Sequence, residues 1–171
     1  MRIVEADGSR LTEVEPLFIA MHEHHRAGKP QAAAVRGFRT AEAAWERRRG
    51  HYERLLASGK GHLLLAEKGG RAIGYAVVSE GGGEATLTTG DRVAELESLS
   101  VLPGERGAGV GRALMEAAYD VMRRLGLGEL ALYVMDGNAS ALGFYERLGL
   151  RPYLSVLLGE VPPAGSSRAP A

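Results

Sequence analysis

Residues 104–112, GERGAGVGR, place four glycines and two arginines in nine positions and run straight into an apolar helical stretch. A helix N-terminus carries unpaired N–H groups and a partial positive charge, and glycines remove the Cβ atoms that would hold a phosphate at a distance. The stretch is therefore built to take an anion. Two phosphate-binding patterns fail on it. A Walker A loop needs a Gly-Lys-Ser/Thr ending where this chain continues Gly111-Arg112-Ala113, and a dinucleotide-binding GxGxxG starting at Gly107 and Gly109 would need a glycine or alanine at Arg112. The pattern present is Arg106-x-x-Gly109-x-Gly111. Glycines between a strand and a helix also serve tight geometry alone, so the loop by itself leaves both readings open.

A second candidate lies just upstream. In AELESLSV, strand alternation puts Glu95 and Glu97 on one side, with the apolar Leu99 and Val101 as the next residues on that side. Charges rarely point toward a core without a function or a partner, although a bulge would rotate the faces. Glu95 and Glu97 are both candidate proton acceptors on this reading. Other charged clusters carry less. MHEHHRAG sets His22 and His25 three apart near Glu23, without HExxH spacing or a third ligand, so no metal site is expected. His22, His25 and the four arginines of WERRRGHYER read as solvated helix faces.

Composition sets bounds on all of this. The 171 residues suit one ordinary domain, and 21 basic against 21 acidic side chains create no overall field for nucleic acid or an anionic membrane. With no cysteine, disulfides, thiolate metal sites and a cysteine nucleophile are excluded. The start MRIVEADGSR lacks the apolar run of a signal peptide and no stretch of 18 apolar residues occurs, so a soluble, cytoplasmic protein is expected.

The elements that must position these residues follow from periodicity. RIVEA reads as a strand, and residues 8–28 as a helix with Leu11, Val14, Leu17, Phe18 and Met21 on one face. A second helix over 40–59 has Thr40 as N-cap and carries Ala44, Trp45, Tyr52, Leu55 and Leu56. Residues 62–80 form a hairpin split by Gly69 and Gly70, and a Gly-rich loop follows around 81–90. RVAELESLSVL is a strand, and Val110, Leu114, Ala117, Val121 and Leu125 mark a helix closed by Gly126. ELALYVM is a strand, NASALGFYERLG a short helix with Asn138 as N-cap, and YLSVLLGEV a last strand in which Leu154, Val156 and Leu158 alternate. One domain over residues 1–160 with a disordered tail over 161–171 is expected.

Placed on these elements, the sequence resembles the GNAT superfamily of N-acetyltransferases. The family signature R/Q-x-x-G-x-G/A after a strand of the type LESLSVLP matches residues 96–111. NASALGFYERLGLRPY resembles the second hallmark, an asparagine followed by Phe-Tyr-Glu and Gly-aliphatic. The likeness runs in family order over roughly residues 2–158. It implies a GNAT-type α/β (α+β) fold: a mixed, mostly antiparallel sheet with a central parallel strand pair, flanked by about four helices. It implies acetyl-CoA as co-substrate, with the pyrophosphate on the N–H groups of Arg106, Gly107, Ala108, Gly109, Val110 and Gly111, next to Arg112. The pantetheine arm would pair with main chain at Leu99, Ser100 and Val101, and Asn138 would contact that arm as well as cap its helix.

By the same resemblance Tyr145 is the acid that protonates the departing thiolate and Glu97 the base, direct or through water. A tyrosine whose helix face it shares with Leu142 and Leu148 also suits a core position. The implied activity is acetyl transfer to a primary amine by direct attack in a ternary complex, which the absence of cysteine favours. A small molecule or a peptide is the expected acceptor, with no metal, nucleic acid or membrane involved and a homodimer left open. The competing readings are a non-catalytic acyl-CoA-binding or sensing module and a transferase of longer acyl or aminoacyl groups.

Overall fold

The computed structural model describes residues 1–28, 30–83 and 90–164. The Gly-rich loop expected around 81–90 and the tail expected over 161–171 thus lie partly outside the described residues. The chain divides into two compact units, residues 1–24 with 39–133, and residues 25–38 with 134–171.

The first unit is built on a five-stranded sheet, ordered β1-β2-β3-β4-β5. β1 is Arg2–Ala6, β2 Gly61–Lys68, β3 Arg71–Gly82, β4 Arg92–Val101 and β5 Leu130–Leu132. The first four pair antiparallel, and β4 pairs parallel with β5. The expected hairpin is present: Gly69 and Gly70 both take positive φ, 59° and 76°, between Lys68 and Arg71. Two successive left-handed residues make the turn whose twist matches flanking strands, and glycine enters it without steric cost.

Both faces of the sheet are covered, which is why β2 and β3 read as nearly continuous apolar runs. On one face lie α1 (Leu11–Ala27) and α2 (Ala41–Ala57), whose Leu11, Val14, Leu17, Phe18, Trp45 and Tyr52 pack on Leu63, Leu65, Tyr75 and Val77. Thr40 caps α2, its Oγ1 accepting from Ala43 N at 3.2 Å. On the other face lies α3 (Val110–Arg124), with Val110, Leu114, Met115, Ala118, Val121 and Met122 buried. This stripe is turned slightly from the expected one, because Met115, Ala118 and Met122 meet the sheet where Ala117 and Leu125 were expected. Burial of each leucine or valine contributes about 1.5–3 kcal/mol. Gly126, at φ 70°, ends α3 as expected, with Leu127 N bonded back to Met122 O at 2.9 Å.

The exposure expected for His22 is not found. His22 is 8% exposed with its Nε2 3.0 Å from Arg39 O, and Trp45 lies in the core 5.5 Å from the Phe18 ring. Both fall on the buried stripe of their helices, and the carbonyl partner makes burial of the imidazole affordable.

The second unit holds α4 (Ala139–Arg147). Asn138 caps it as expected, its Oδ1 accepting from Ala141 N at 3.2 Å and from Ser140 Oγ at 3.1 Å. The helix ends at Gly149, φ 95°, with Leu150 N reaching back to Tyr145 O. The last strand expected over 153–161 is not formed: Leu154, Val156, Leu157 and Leu158 are exposed without strand pairing. Alternation favours a strand only where a neighbouring ladder accepts its N–H and C=O groups, and among the described residues of this unit no strand provides one. β5 is also shorter than the seven residues of ELALYVM, retaining only Leu130–Leu132. The parallel pair therefore closes the five-stranded order.

Candidate active site

The features expected to do chemistry in the first unit meet at the end of β4. Its register against β3 runs Gly74↔Val101 to Val77↔Ser98 and then jumps to Val78↔Leu96, so Glu97 is the extra residue of a β-bulge. The bulge changes which side chains share a face. Ser98 and Ser100 turn toward α1 and α2: Ser98 Oγ lies 2.6 Å from Tyr75 OH, and Ser100 Oγ donates to Leu17 O at 3.0 Å. Glu95 and Glu97 lie on that same face, Glu95 opposite Ser79 and Glu97 bonded to it. Leu99 and Val101, expected beside the glutamates, lie on the α3 face instead. Gly74, opposite Val101, approaches both the Val101 and Leu114 side chains there.

Glu97 is 12% exposed and fully engaged. Ser79 Oγ donates to its Oε1 at 2.8 Å, His51 Nε2 lies 3.0 Å from its Oε2, and Arg48 Nη1 lies 3.9 Å from the same oxygen. Arg48 in turn lies over the Tyr52 ring, 5.6 Å from its centroid. Burial, and then the neighbouring Glu97 charge, push the Glu95 carboxyl above its ordinary value. Burial likewise raises the Tyr52 and Tyr75 phenols, so both stay protonated at neutral pH.

Ser79, Arg48 and His51 were not singled out by motif. The signal for two of them is periodic: Ala44, Arg48, His51 and Leu55 are spaced four, three and four, and Ala44 and Leu55 pack on the core. Arg48 and His51 thus belong to the inward edge of α2, whereas Arg47 and Arg49 leave it.

The strand edge and the glycine turn form the other half of the site. β4 and β5 pair only from Ala94↔Leu130 to Leu96↔Leu132. Among the described residues, no strand continues that ladder along 97–101. A short turn, Pro103–Glu105, then leads into α3. It is pinned by Leu102 N to Ile73 O at 2.9 Å, by Arg106 Nε to Val101 O at 3.1 Å, and by Lys68 Nζ on both Glu105 carboxylate oxygens. Gly109 caps α3 in the left-handed conformation, φ 82°, with no side chain capping the helix. The first backbone bond of α3 runs from Ala113 N to Gly109 O at 3.0 Å. The N–H groups of Val110, Gly111 and Arg112 are thereby left for an outside acceptor. That of Arg106, expected among these donors, turns back to Pro103 O at 3.4 Å instead. A Cβ added at Gly107 or Gly109 would meet nothing within 4 Å, which leaves the turn open on its outer side. These donors fit a diphosphate, and the unpaired edge fits an amide-bearing chain that extends the sheet.

A family model described as the acetyltransferase (GNAT) family matches residues 18–150, covering both the bulged strand and the glycine turn. The chain belongs to the GNAT family. Among known GNAT-related proteins it is 40% identical over 80 residues to a streptothricin acetyltransferase of Streptomyces lavendulae, covering 47% of this chain and 39% of that one. It is 34% identical over 101 residues to a mycothiol acetyltransferase of Thermomonospora curvata, covering 59% and 31%. The chain thus spans less than half the length of these relatives. In fold it is similar to an aminoglycoside N-acetyltransferase solved in complex with CoA, at TM-score 0.67 and 19% identity over 94% of this chain and 99% of that one.

In the second unit, the Tyr145 side chain is half-buried on α4, a helix with no fully buried residue, and its ring lies 5.1 Å from that of Phe144. Leu142, expected to share its face, is 38% exposed. Among the described residues no group of three or more His, Cys, Asp or Glu could hold a metal ion, and no helix is long and apolar enough to cross a membrane.

Proposed function

We propose that this GNAT protein transfers the acetyl group of acetyl-CoA to a primary amine of a small molecule, by direct attack within a ternary complex. The observation that carries the reading is the continuous run from the unpaired β4 edge through the glycine turn to the uncapped start of α3, with a held carboxylate on the same strand. A small-molecule acceptor is favoured because the relatives are named for streptothricin and mycothiol and a structural neighbour for aminoglycosides.

Each residue has a defined task. The N–H groups of residues 107–112 bind the pyrophosphate, and the Arg106 and Arg112 side chains add positive charge beside it. Main chain at Leu99, Ser100 and Val101 pairs with the amides of the pantetheine arm, orienting it as an added strand. Asn138 has its Oδ1 committed to capping α4, leaving its side-chain N–H groups for the same arm. When bound, acetyl-CoA supplies a thioester, an acyl group activated toward amines.

An alkylamine of pKa near 10.4 costs about 4–5 kcal/mol to deprotonate at pH 7, so the step needs a base at hand, and Glu97 supplies the carboxylate that serves it, directly or through an intervening group. A phenol is a suitable acid for an alkyl thiolate, and Tyr145 protonates the sulfur as it leaves. A module that only senses acyl-CoA would keep the glycine turn and need neither Glu97 nor Tyr145.

The test is an amine panel with released CoA thiol as readout, applied to the wild type and to Tyr145→Phe. General acid catalysis contributes about 10²- to 10⁴-fold, so turnover falls by about that factor while acetyl-CoA affinity holds. Folded Tyr145→Phe turning over as the wild type does removes the acid role. A wild type that acetylates no amine supports the sensor.

A further inference from the structure

The acceptor's proton needs a destination, and Glu97 is a poor final one. Both of its oxygens are already engaged, and its side chain is 12% exposed against 42% for His51. A carboxylate only accepts hydrogen bonds, so the 3.0 Å contact to Glu97 Oε2 is made by an N–H on His51 Nε2. That fixes the tautomer and leaves the lone pair on Nδ1, for which no hydrogen-bond partner occurs among the described residues. Ser79 Oγ holds the opposite carboxylate oxygen at 2.8 Å, so Glu97 cannot swing away from the imidazole. The other charged and titratable groups facing His51 are Arg48 and Tyr52 on α2, and Glu95 beside Glu97 on β4.

We propose that His51 is the group that takes the proton from the acceptor amine, with Glu97 as its positioning carboxylate and Ser79 as the residue that holds Glu97. The proposal rests on the amine-acetylation reading above and names the base of that reaction. The step balances as follows. An ammonium N–H bond breaks and an Nδ1–H bond forms, giving an imidazolium whose charge Glu97 offsets. The amine nitrogen then bonds to the acetyl carbon as the carbon–sulfur bond breaks, and the sulfur takes a proton from the general acid. The second amine proton restores that acid, and the imidazolium gives its own to water. An imidazole with one ring nitrogen committed as a donor can accept a proton on the other and pass it on to water. A mostly buried carboxylate with both oxygens engaged lacks the access.

The experiment compares His51→Gln, His51→Ala and Glu97→Gln with the wild type. The readouts are kcat/KM across pH 5.5–9.5 for the best amine of the panel, acetyl-CoA affinity by calorimetry, and thermal melting. His51→Gln keeps an N–H donor for Glu97, so the fold is expected to hold. Its kcat/KM falls by about 10²- to 10⁴-fold at pH 7, acetyl-CoA affinity is unchanged, and the rate climbs with pH as the amine deprotonates unaided. Added imidazole restores part of the rate to His51→Ala and none to Glu97→Gln in the same solution. The proposal is overturned if folded His51→Gln keeps the wild-type rate and pH limb while Glu97→Gln loses them, which makes Glu97 the direct base. It is also overturned if imidazole fails to raise the rate of a folded His51→Ala. A wild type that acetylates no amine overturns the underlying reading along with it, and that outcome is distinct because it appears before any variant is made.

Discussion

Gly109→Ala separates the two roles that a glycine turn can have. Gly109 sits at φ 82°, ψ −1°, a left-handed conformation that costs an L-residue about 1–2 kcal/mol. A Cβ there meets nothing within 4 Å, so the cost to the fold is backbone strain without any clash. For a chain of this size each kcal/mol lowers Tm by about 2–4 °C, which predicts a drop of about 2–8 °C. The methyl group projects into the open side of the turn, where a pyrophosphate would approach the Val110, Gly111 and Arg112 N–H groups. Losing one charge-assisted hydrogen bond, about 1.5–3 kcal/mol, weakens acetyl-CoA by about 10- to 100-fold. Gly69→Ala is the control. It has φ 59°, also meets nothing within 4 Å, and lies in the β2–β3 hairpin, so it suffers comparable strain away from the turn. Melting curves and calorimetric titration with acetyl-CoA are run on both variants. Equal melting losses with affinity lost only in Gly109→Ala is the expected pattern. Wild-type affinity in Gly109→Ala, or an equal affinity loss in Gly69→Ala, refutes the anion-cradle reasoning.

Glu95 provides a pH signature. Burial and the Glu97 charge raise its pKa above the ordinary 4.5, so between 4.5 and that raised value the folded protein binds more protons than the unfolded chain, and stability falls as pH rises through that window. Glu95→Gln is therefore more stable than the wild type at pH 7, an advantage that disappears below about pH 4; denaturant titrations at both pH values check it, and an advantage that persists at low pH counts against the cause given. Gly74→Ala tests the approach of β3 to β4, because its Cβ would stand 2.9 Å from Ser100 O and 3.2 Å from Leu114 Cδ1. It is expected to cost about 1–3 kcal/mol in urea unfolding, whereas Gly82→Ala on the same strand, with nothing within 4 Å, costs far less; equal losses would refute the close-approach account.

Local patterns were legible wherever one stretch of chain decides its own conformation. The Gly69–Gly70 hairpin, the caps Thr40 and Asn138, the stop at Gly126, and the left-handed turn at Gly107 and Gly109 rest on short-range sterics and on hydrogen bonds that close within a few residues. Residue type and spacing are enough for these. YLSVLLGEV shows the limit, since its alternation is that of a strand but a strand needs a partner that no local pattern supplies. Tertiary structure also decided which side chains of β4 share a face. One extra residue at Glu97 turns Leu99 and Val101 to the α3 face and Ser98 and Ser100 to the α1–α2 face, because strand side chains alternate with a period of two and a single insertion reverses every later residue. The same packing brings His51, 46 positions earlier in the chain, to Glu97 and sets Ser79 against the carboxylate from the other side. The sequence by itself determined that a glycine turn leading into a helix follows a strand bearing glutamates. The fold decided which groups surround those glutamates, because contacts between α2, β3 and β4 depend on how three separate segments pack and on no pattern within any one of them.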